Sequence, residues 1–183
     1  KSFNCKILCF TISVNTFPFV FELINEISKE KNFQIIVGGL FATSNPKLIF
    51  DNCSADYVVL GEGFEDLSKL IEFLTHGEKE LDDINIMDKS STYSPNPIST
   101  MPSIIKFDNK KFQELEEIKP YTQKGYWETY LSKGCNNNCR YCSSGILWKC
   151  AKRREILDVI NEISFIKSNF NIRFFSYQIN GLT

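Results

Sequence analysis

The chain has 183 residues, with 21 Lys+Arg against 22 Asp+Glu, 43% hydrophobic residues and 16 Phe. That length suits one domain or two small ones, and so apolar a composition excludes a disordered chain. The balanced charge gives no reason to expect a nucleic-acid partner, and no apolar run approaches the roughly 20 residues of a membrane helix.

Residues 5–12, CKILCFTI, are apolar and β-prone and predict a first strand. Cys5 and Cys9 lie four apart on one face of it and read as small buried hydrophobes, as does Cys53. In TFPFVFELINEISKEK, Val20, Leu23, Ile24 and Ile27 recur at i, i+3, i+4, i+7, which predicts an amphipathic helix. Thr16 is its expected N-cap, and Pro18 is tolerated in its first turn. FQIIVGG predicts a short buried strand ending in two glycines, residues 46–51 a short helix, and DYVVLGEG a third strand. A second amphipathic helix follows, with Leu67, Leu70, Ile71 and Leu74 at the same spacing. Strands alternating with helices imply a parallel sheet with right-handed crossovers. Ligands bind such sheets at the carboxyl ends of the strands. Here those ends carry Ser13, Gly38-Gly39 and Gly61-Glu62-Gly63.

Residues 78–127 change character. KELDDINIMDKSSTYSPNPISTMPS is polar, holds three prolines and has little periodicity, so residues 78–127 read as a surface connector, with SIIKFDNKKF as a small hairpin inside it. WETYLSKG predicts another strand. KRREILDVINEISFIKSNF predicts a third amphipathic helix through Ile156, Val159, Ile160 and Ile163, and IRFFSYQIN a last strand. Lys149, Lys152, Arg153 and Arg154 fall at that helix's N-terminus, where cations oppose the helix dipole. They read as a solvated loop first, as partners of carboxylates or ligand phosphates second, and as a nucleic-acid patch last. His76 reads as a solvated surface residue and Cys150 as a plain thiol.

The chemistry concentrates in LSKGCNNNCRYCSSG, where Cys135, Cys139 and Cys142 are spaced C-x3-C-x2-C. Structural zinc wants four ligands. The one His is far away in sequence, and Cys150 would complete a four-thiolate set only at an irregular spacing. Iron–sulfur clusters also take thiolates, and three of them leave one iron open to bind a substrate. The seven cysteines are an odd number without the spacing of a secreted disulfide scaffold, so a reducing cytoplasm is expected.

This CxxxCxxC run, with Tyr141 before its last cysteine and a strand before its first, resembles the radical S-adenosylmethionine (SAM) superfamily. The downstream RREILDVINEISFIKSNFNIRFF resembles the helix and second strand that follow the motif there. The resemblance implies a 4Fe-4S cluster held by Cys135, Cys139 and Cys142. It also implies that the amino and carboxylate groups of SAM bind the fourth iron, and that electron transfer from the cluster splits SAM to a deoxyadenosyl radical. Tyr141, Gln178 and Asn180 are the implied SAM contacts. The second strand departs from the pattern, ending YQINGL where the family often has acidic or Gly-Gly-Glu-like residues.

Upstream, IVGGLFAT followed by DYVVLGEGFEDLSKLIEFL resembles the cobalamin-binding domain that precedes the barrel in one radical SAM subgroup. The resemblance implies that Ser13, Gly38, Gly39, Gly61 and Gly63 line the cobalamin pocket. Glycines at strand ends let a ligand approach the backbone, although ordinary strand-end turns would use them too. The expected fold is α/β: a partial doubly wound cobalamin-binding domain over 1–77, a connector over 78–127 and the start of a radical SAM barrel over 128–183. A complete barrel takes about 250 residues, so the chain is expected to be an internal fragment of a larger enzyme and inactive alone. It opens on Lys1 without an initiator Met.

The expected function of the whole enzyme is cobalamin-dependent radical SAM chemistry, foremost methyl transfer to an unactivated carbon or phosphorus centre. A methylthiotransferase, a cyclase or rearrangement enzyme, and a non-enzymatic zinc- or cobalamin-binding sensor are the alternatives. The expected partners are a small-molecule or peptide substrate and an external electron donor of the flavodoxin or ferredoxin type, with no nucleic acid and no membrane.

Overall fold

Alternation along one strand explains how the first half of the chain folds. In the computed structural model, Ile35 and Val37 of β2 (Gln34–Gly38) face one side of a sheet and Ile36 faces the other, each buried. Helices cover both faces. Phe21 and Ile24 of α1 (Phe17–Ile27), Ala42 of α2 (Leu40–Ser44) and Ile49 of α3 (Pro46–Asn52) share a core with Ile35, Val37 and Val58. Leu70 of α4 (Phe64–His76) packs with Ile36 and Val59 on the opposite side. β1 (Ile7–Thr11), β2 and β3 (Tyr57–Val59) run parallel, in the order β1-β2-β3-β4. This is the doubly wound α/β arrangement that the strand–helix alternation implied.

The structure describes residues 6–30, 32–77, 85–91, 104, 106–114, 125–137, 139–142, 144–148 and 150–179. The chain divides into two compact units, Lys1–Thr100 and Met101–Thr183. Several expectations need correction. β4 (Ile86–Asp88) lies inside the supposed connector and pairs antiparallel with β3, burying Met87 in the core. Cys9 is exposed rather than buried, because β1 is the edge strand among the described residues; Cys5 lies outside them. Thr16 makes no side-chain cap on α1, since its hydroxyl is turned to Ser13.

The supposed hairpin SIIKFDNKKF instead contains a helix, α5 (Asn109–Glu114). Asp108 starts it: its carboxylate accepts the N–H of Lys110 and its carbonyl that of Phe112. Phe107 and Phe112 then join Trp127, Phe165 and Phe170 in an aromatic cluster with ring centroids 5.3 to 6.5 Å apart. The pull of that cluster, about 0.5–1.5 kcal/mol per pair beyond area burial, ties this stretch to the second unit.

In that unit β5 (Tyr126–Lys133) pairs parallel with β7 (Phe174–Ile179) and antiparallel with the two-residue β6 (Lys152–Arg153). A short helix, α6 (Ser144–Leu147), and a long one, α7 (Ile156–Asn169), lie between β5 and β7. α7 buries Val159, Glu162 and Ile166, while Ile156 is 76% exposed and Ile160 49%. The inward face is therefore turned from the expected Ile156–Ile160 line, because a carboxylate, Glu162, has a buried cation to meet.

Candidate functional site

Three turns leave the carboxyl ends of β1, β2 and β3, and hydrogen bonds lash them together. After β1, Ser13 accepts the N–H groups of Thr16 and Phe17 at its carbonyl, 3.1 and 3.0 Å away, and its own N–H reaches the Thr16 hydroxyl. Ile12 donates to the Gly38 carbonyl at 2.9 Å and accepts from Phe41, which ties this turn to the next. Gly39 sits at φ +96°, and a Cβ there would stand 2.9 Å from Thr11 Cγ2 and 3.0 Å from the Ile12 carbonyl. Only glycine fits. At Gly38 the same atom would meet nothing nearer than the Val59 carbonyl at 3.5 Å, so that position faces room.

Thr43, which the sequence reading did not single out, joins the second turn to the third. Its buried hydroxyl donates to the Gly39 carbonyl at 2.9 Å and accepts the Gly61 N–H at 3.0 Å. A threonine four residues after a strand-end Gly-Gly was the available signal. Gly61 and Gly63 both have left-handed φ angles, and Gly63 opens α4. The structure thus brings Ser13, Gly38, Gly39, Gly61 and Gly63 to one sheet edge, with the exposed side chains of Val14, Leu40 and Phe64 beside them. A hollow of about 270 Å³ lies at the opposite edge, bounded by Gln34, Asp56, Tyr57, Asp88, Lys89 and Ser90. Asp88 there is committed to Ser90 and Ser91, whose hydrogen bonds hold its carboxyl below the usual range. It is remote from the strand ends where such sheets take ligands.

In the second unit the chain leaves β5 through Gly134, at φ +80°, and enters the cysteine loop. Cys135 is half-buried, and Cys139 and Cys142 are exposed. The Cys142 N–H donates to the Cys139 carbonyl at 3.0 Å, and the Asn137 N–H to the Cys135 sulfur at 3.4 Å. Ser144, at the start of α6, hydrogen-bonds Cys142 through its hydroxyl and its N–H and holds that thiol below its ordinary pKa. A lowered pKa favours the thiolate, the form that ligates metal. Tyr141 is 93% exposed, and its phenol is pushed up by a hydrogen bond with the Cys139 thiol. Among the described residues no three His, Cys, Asp or Glu side chains are gathered to hold a metal ion in common. The loop keeps its three thiols on one stretch without converging them. Cys150 is half-buried farther along the loop, and His76 is exposed at the end of α4. Gln178 lies on β7 opposite Tyr130, its amide donating to Glu128 at 2.6 Å; Asn180 lies outside the described residues.

The expectation of a solvated basic loop fails at Arg154, which is 7% exposed. Its guanidinium donates to Asp158 at 2.9 and 2.6 Å, to Glu162 at 2.6 Å, to Thr129 at 2.9 Å and to the Tyr130 carbonyl at 3.3 Å. Burial works against its charge, but the bonds and charges of Asp158 and Glu162 outweigh it and hold the group above its usual pKa. Glu162 also accepts the Trp127 indole N–H at 2.9 Å, and Asp158 accepts the Phe107 N–H at 3.0 Å. Lys152 and Arg153 remain exposed.

No family model matches the chain. Curated relatives do. A cytidylyl-2-hydroxyethylphosphonate methyltransferase of Streptomyces wedmorensis is 25% identical over 181 aligned positions, covering 80% of this chain and 34% of that protein. The ribosomal protein uS12 methylthiotransferase RimO of Acetivibrio thermocellus is 23% identical, covering 84% and 30%. An anaerobic magnesium-protoporphyrin IX monomethyl ester cyclase of Synechocystis is 25% identical, covering 79% and 30%. The chain therefore spans about a third of the length of the curated relatives it matches.

Solved structures share the fold. The radical SAM methyltransferase TsrM of Kitasatospora setae, with tryptophan and a SAM analogue bound, superposes with a TM-score of 0.65 at 14% identity, covering 94% of this chain and 36% of that one. A second TsrM structure holds cobalamin and a [4Fe-4S] cluster. The cobalamin-dependent SAM radical enzyme OxsB, with aqua-cobalamin and SAM, gives 0.60 at 19% identity, covering 94% and 25%. Over 94% of its length the chain shares the fold of solved radical SAM enzymes that bind cobalamin, a [4Fe-4S] cluster and SAM or an analogue.

Proposed function

We propose that the full-length protein carrying this chain is a cobalamin-dependent radical SAM methyltransferase. The observation that carries the reading is the C-x3-C-x2-C loop at the carboxyl end of β5, the first strand of a parallel β5–β7 pair. Cys135, Cys139 and Cys142 would hold the cluster. A structural zinc site takes four ligands, and this loop offers three thiols. A cubane takes each thiolate on a separate iron, and three thiolates leave the fourth iron open. Ser144 lowers the Cys142 thiol's pKa and so favours its ligating form, and Tyr141 within the loop and Gln178 on β7 are the candidate SAM contacts. In the first unit, the turns of Ser13, Gly38, Gly39, Gly61 and Gly63 would line cobalamin, with Gly38 leaving room for a ligand against the main chain. When bound, the reduced cluster supplies the electron that splits SAM to a deoxyadenosyl radical, and cobalamin serves as the methyl carrier.

A methylthiotransferase would need further cysteines grouped upstream. Cys9 is exposed on β1 and Cys53 is buried with its thiol pushed up by burial, and no such group occurs among the described residues. Methyl transfer leads because methyltransferases stand among both the curated relatives and the solved neighbours, with methylthio transfer, cyclisation or rearrangement as the second reading. A loop of three free thiols, two of them exposed, suits a reducing compartment such as the cytoplasm, where a flavodoxin- or ferredoxin-type donor would supply electrons and a small molecule or peptide the substrate. The test is turnover of full-length protein with a strong reductant and SAM carrying a labelled methyl. Label on cobalamin and release of both deoxyadenosine and S-adenosylhomocysteine are expected. Deoxyadenosine without cobalamin methylation would remove methyl transfer and favour the second reading.

A further inference from the structure

We propose that Arg154 is the positioning residue of the cysteine loop, a role that rests on reading the loop as the cluster site. The loop leaves β5 at Gly134 and returns through Ala151 into β6. Its base is closed by a ladder of two residue pairs, Ser132 with Arg153 and Lys133 with Lys152, and both β6 residues are exposed. The Ala151 N–H donates to Asn136 at 2.8 Å, and the Lys133 ammonium lies 6.0 Å from the Trp148 ring centroid. Ladder bonds of this kind compete with water. The first buried residue of the returning leg is Arg154.

Arg154 fastens that leg in two directions. Toward β5, its main-chain N–H donates to the Leu131 carbonyl at 2.9 Å, its guanidinium reaches Thr129 and the Tyr130 carbonyl, and it lies 5.2 Å from the Tyr130 ring centroid. Toward α7, it binds Asp158 through two nitrogens and Glu162 through a third. Three consecutive β5 residues, immediately before the stretch that feeds the loop, are thereby locked to its exit. Such a planar fork cannot be reproduced by lysine. The carboxylates are fixed in turn by Trp127 and the Phe107 N–H. A buried ion network is also a poor way to gain stability, since apolar residues of similar volume often serve as well or better. What it supplies is direction: a rigid heading for the returning chain, and hence a fixed frame for the three thiols.

The experiment uses full-length protein, reconstituted anaerobically, in three forms: wild type, Arg154→Lys, and the apolar triple variant Arg154→Met, Asp158→Leu, Glu162→Leu. Iron and sulfide content, the electron paramagnetic resonance (EPR) spectrum and reduction potential of the cluster, the rate of iron loss to a chelator and thermal unfolding are measured. The triple variant should fold with reduced stability, because the Trp127 indole and the Phe107 N–H lose their acceptors, and it should lose iron about tenfold faster or more, the low end of what lost supporting contacts cost a metal site. Its EPR spectrum and potential should shift. Should the triple variant fail to fold, Arg154→Lys decides on the same cluster readouts. A folded variant with wild-type spectrum, potential and iron loss overturns the proposal while leaving the cluster reading intact. A wild-type protein that takes up no iron overturns the cluster reading, and the proposal with it.

Discussion

The two units prepare their candidate sites in opposite ways. In the first, three strand ends are tied to each other by main-chain bonds and by Thr43, so the protein's own groups fix the turns. In the second, the cysteine loop is anchored at its base by Arg154 and by β6, while Cys139, Tyr141 and Cys142 stand exposed and unconverged. The difference follows from what each site offers. A glycine cradle offers backbone and empty space, which a fold can build alone. A thiolate set is completed only when metal arrives and couples binding to local ordering.

The largest expected effect tests the open loop. Alanine at Cys135, Cys139 or Cys142 should each abolish cluster retention, whereas Cys150→Ala should leave iron content unchanged. Equal loss from Cys150→Ala would mean that a fourth thiolate belongs to the set. The next tests the finished cradle. Gly39→Ala forces a side chain into φ +96° against the Ile12 carbonyl, and should destabilise by about 1–3 kcal/mol in denaturant unfolding. Gly38→Leu should weaken cobalamin binding by blocking backbone approach, with a smaller effect on the fold because that Cβ meets only ordinary contact. If the two positions behaved alike, the distinction between strained turn and open face would be lost. Phe112→Ala, which removes four ring partners from the aromatic cluster, should cost the second unit about 2–3 kcal/mol without touching cobalamin content. The smallest is Thr43→Val, which keeps the shape and deletes two hydrogen bonds. A loss of about 1–2 kcal/mol is expected, together with weaker cobalamin binding.

Periodicity made the parallel sheet legible, since Ile35 to Val37 and the Leu67–Leu74 spacing each specify their element locally. The three thiols were legible because their spacing alone confines them to one loop. β4 was hidden by polar neighbours: only Met87 of its three residues is buried, and its pairing partner lies about 30 residues back in the chain, a distance no local pattern spans. α5 carried a readable cap in Asp108, but the surrounding apolar residues alternate as a hairpin's do, and the aromatic cluster that decides the matter is assembled from distant segments. Arg154 looked solvated because its neighbours Lys152 and Arg153 are. Its burial depends on Glu162, whose inward turn breaks the apolar pattern of the helix it sits on.

Iron analysis with EPR of the reduced full-length protein, before and after adding SAM, tests the central claim most directly. The account predicts iron and acid-labile sulfide in equal amounts, a 4Fe-4S signal, and a change in that signal when SAM takes the iron that no cysteine holds. Stoichiometric zinc without iron, or a cluster whose spectrum SAM leaves unchanged, would contradict it.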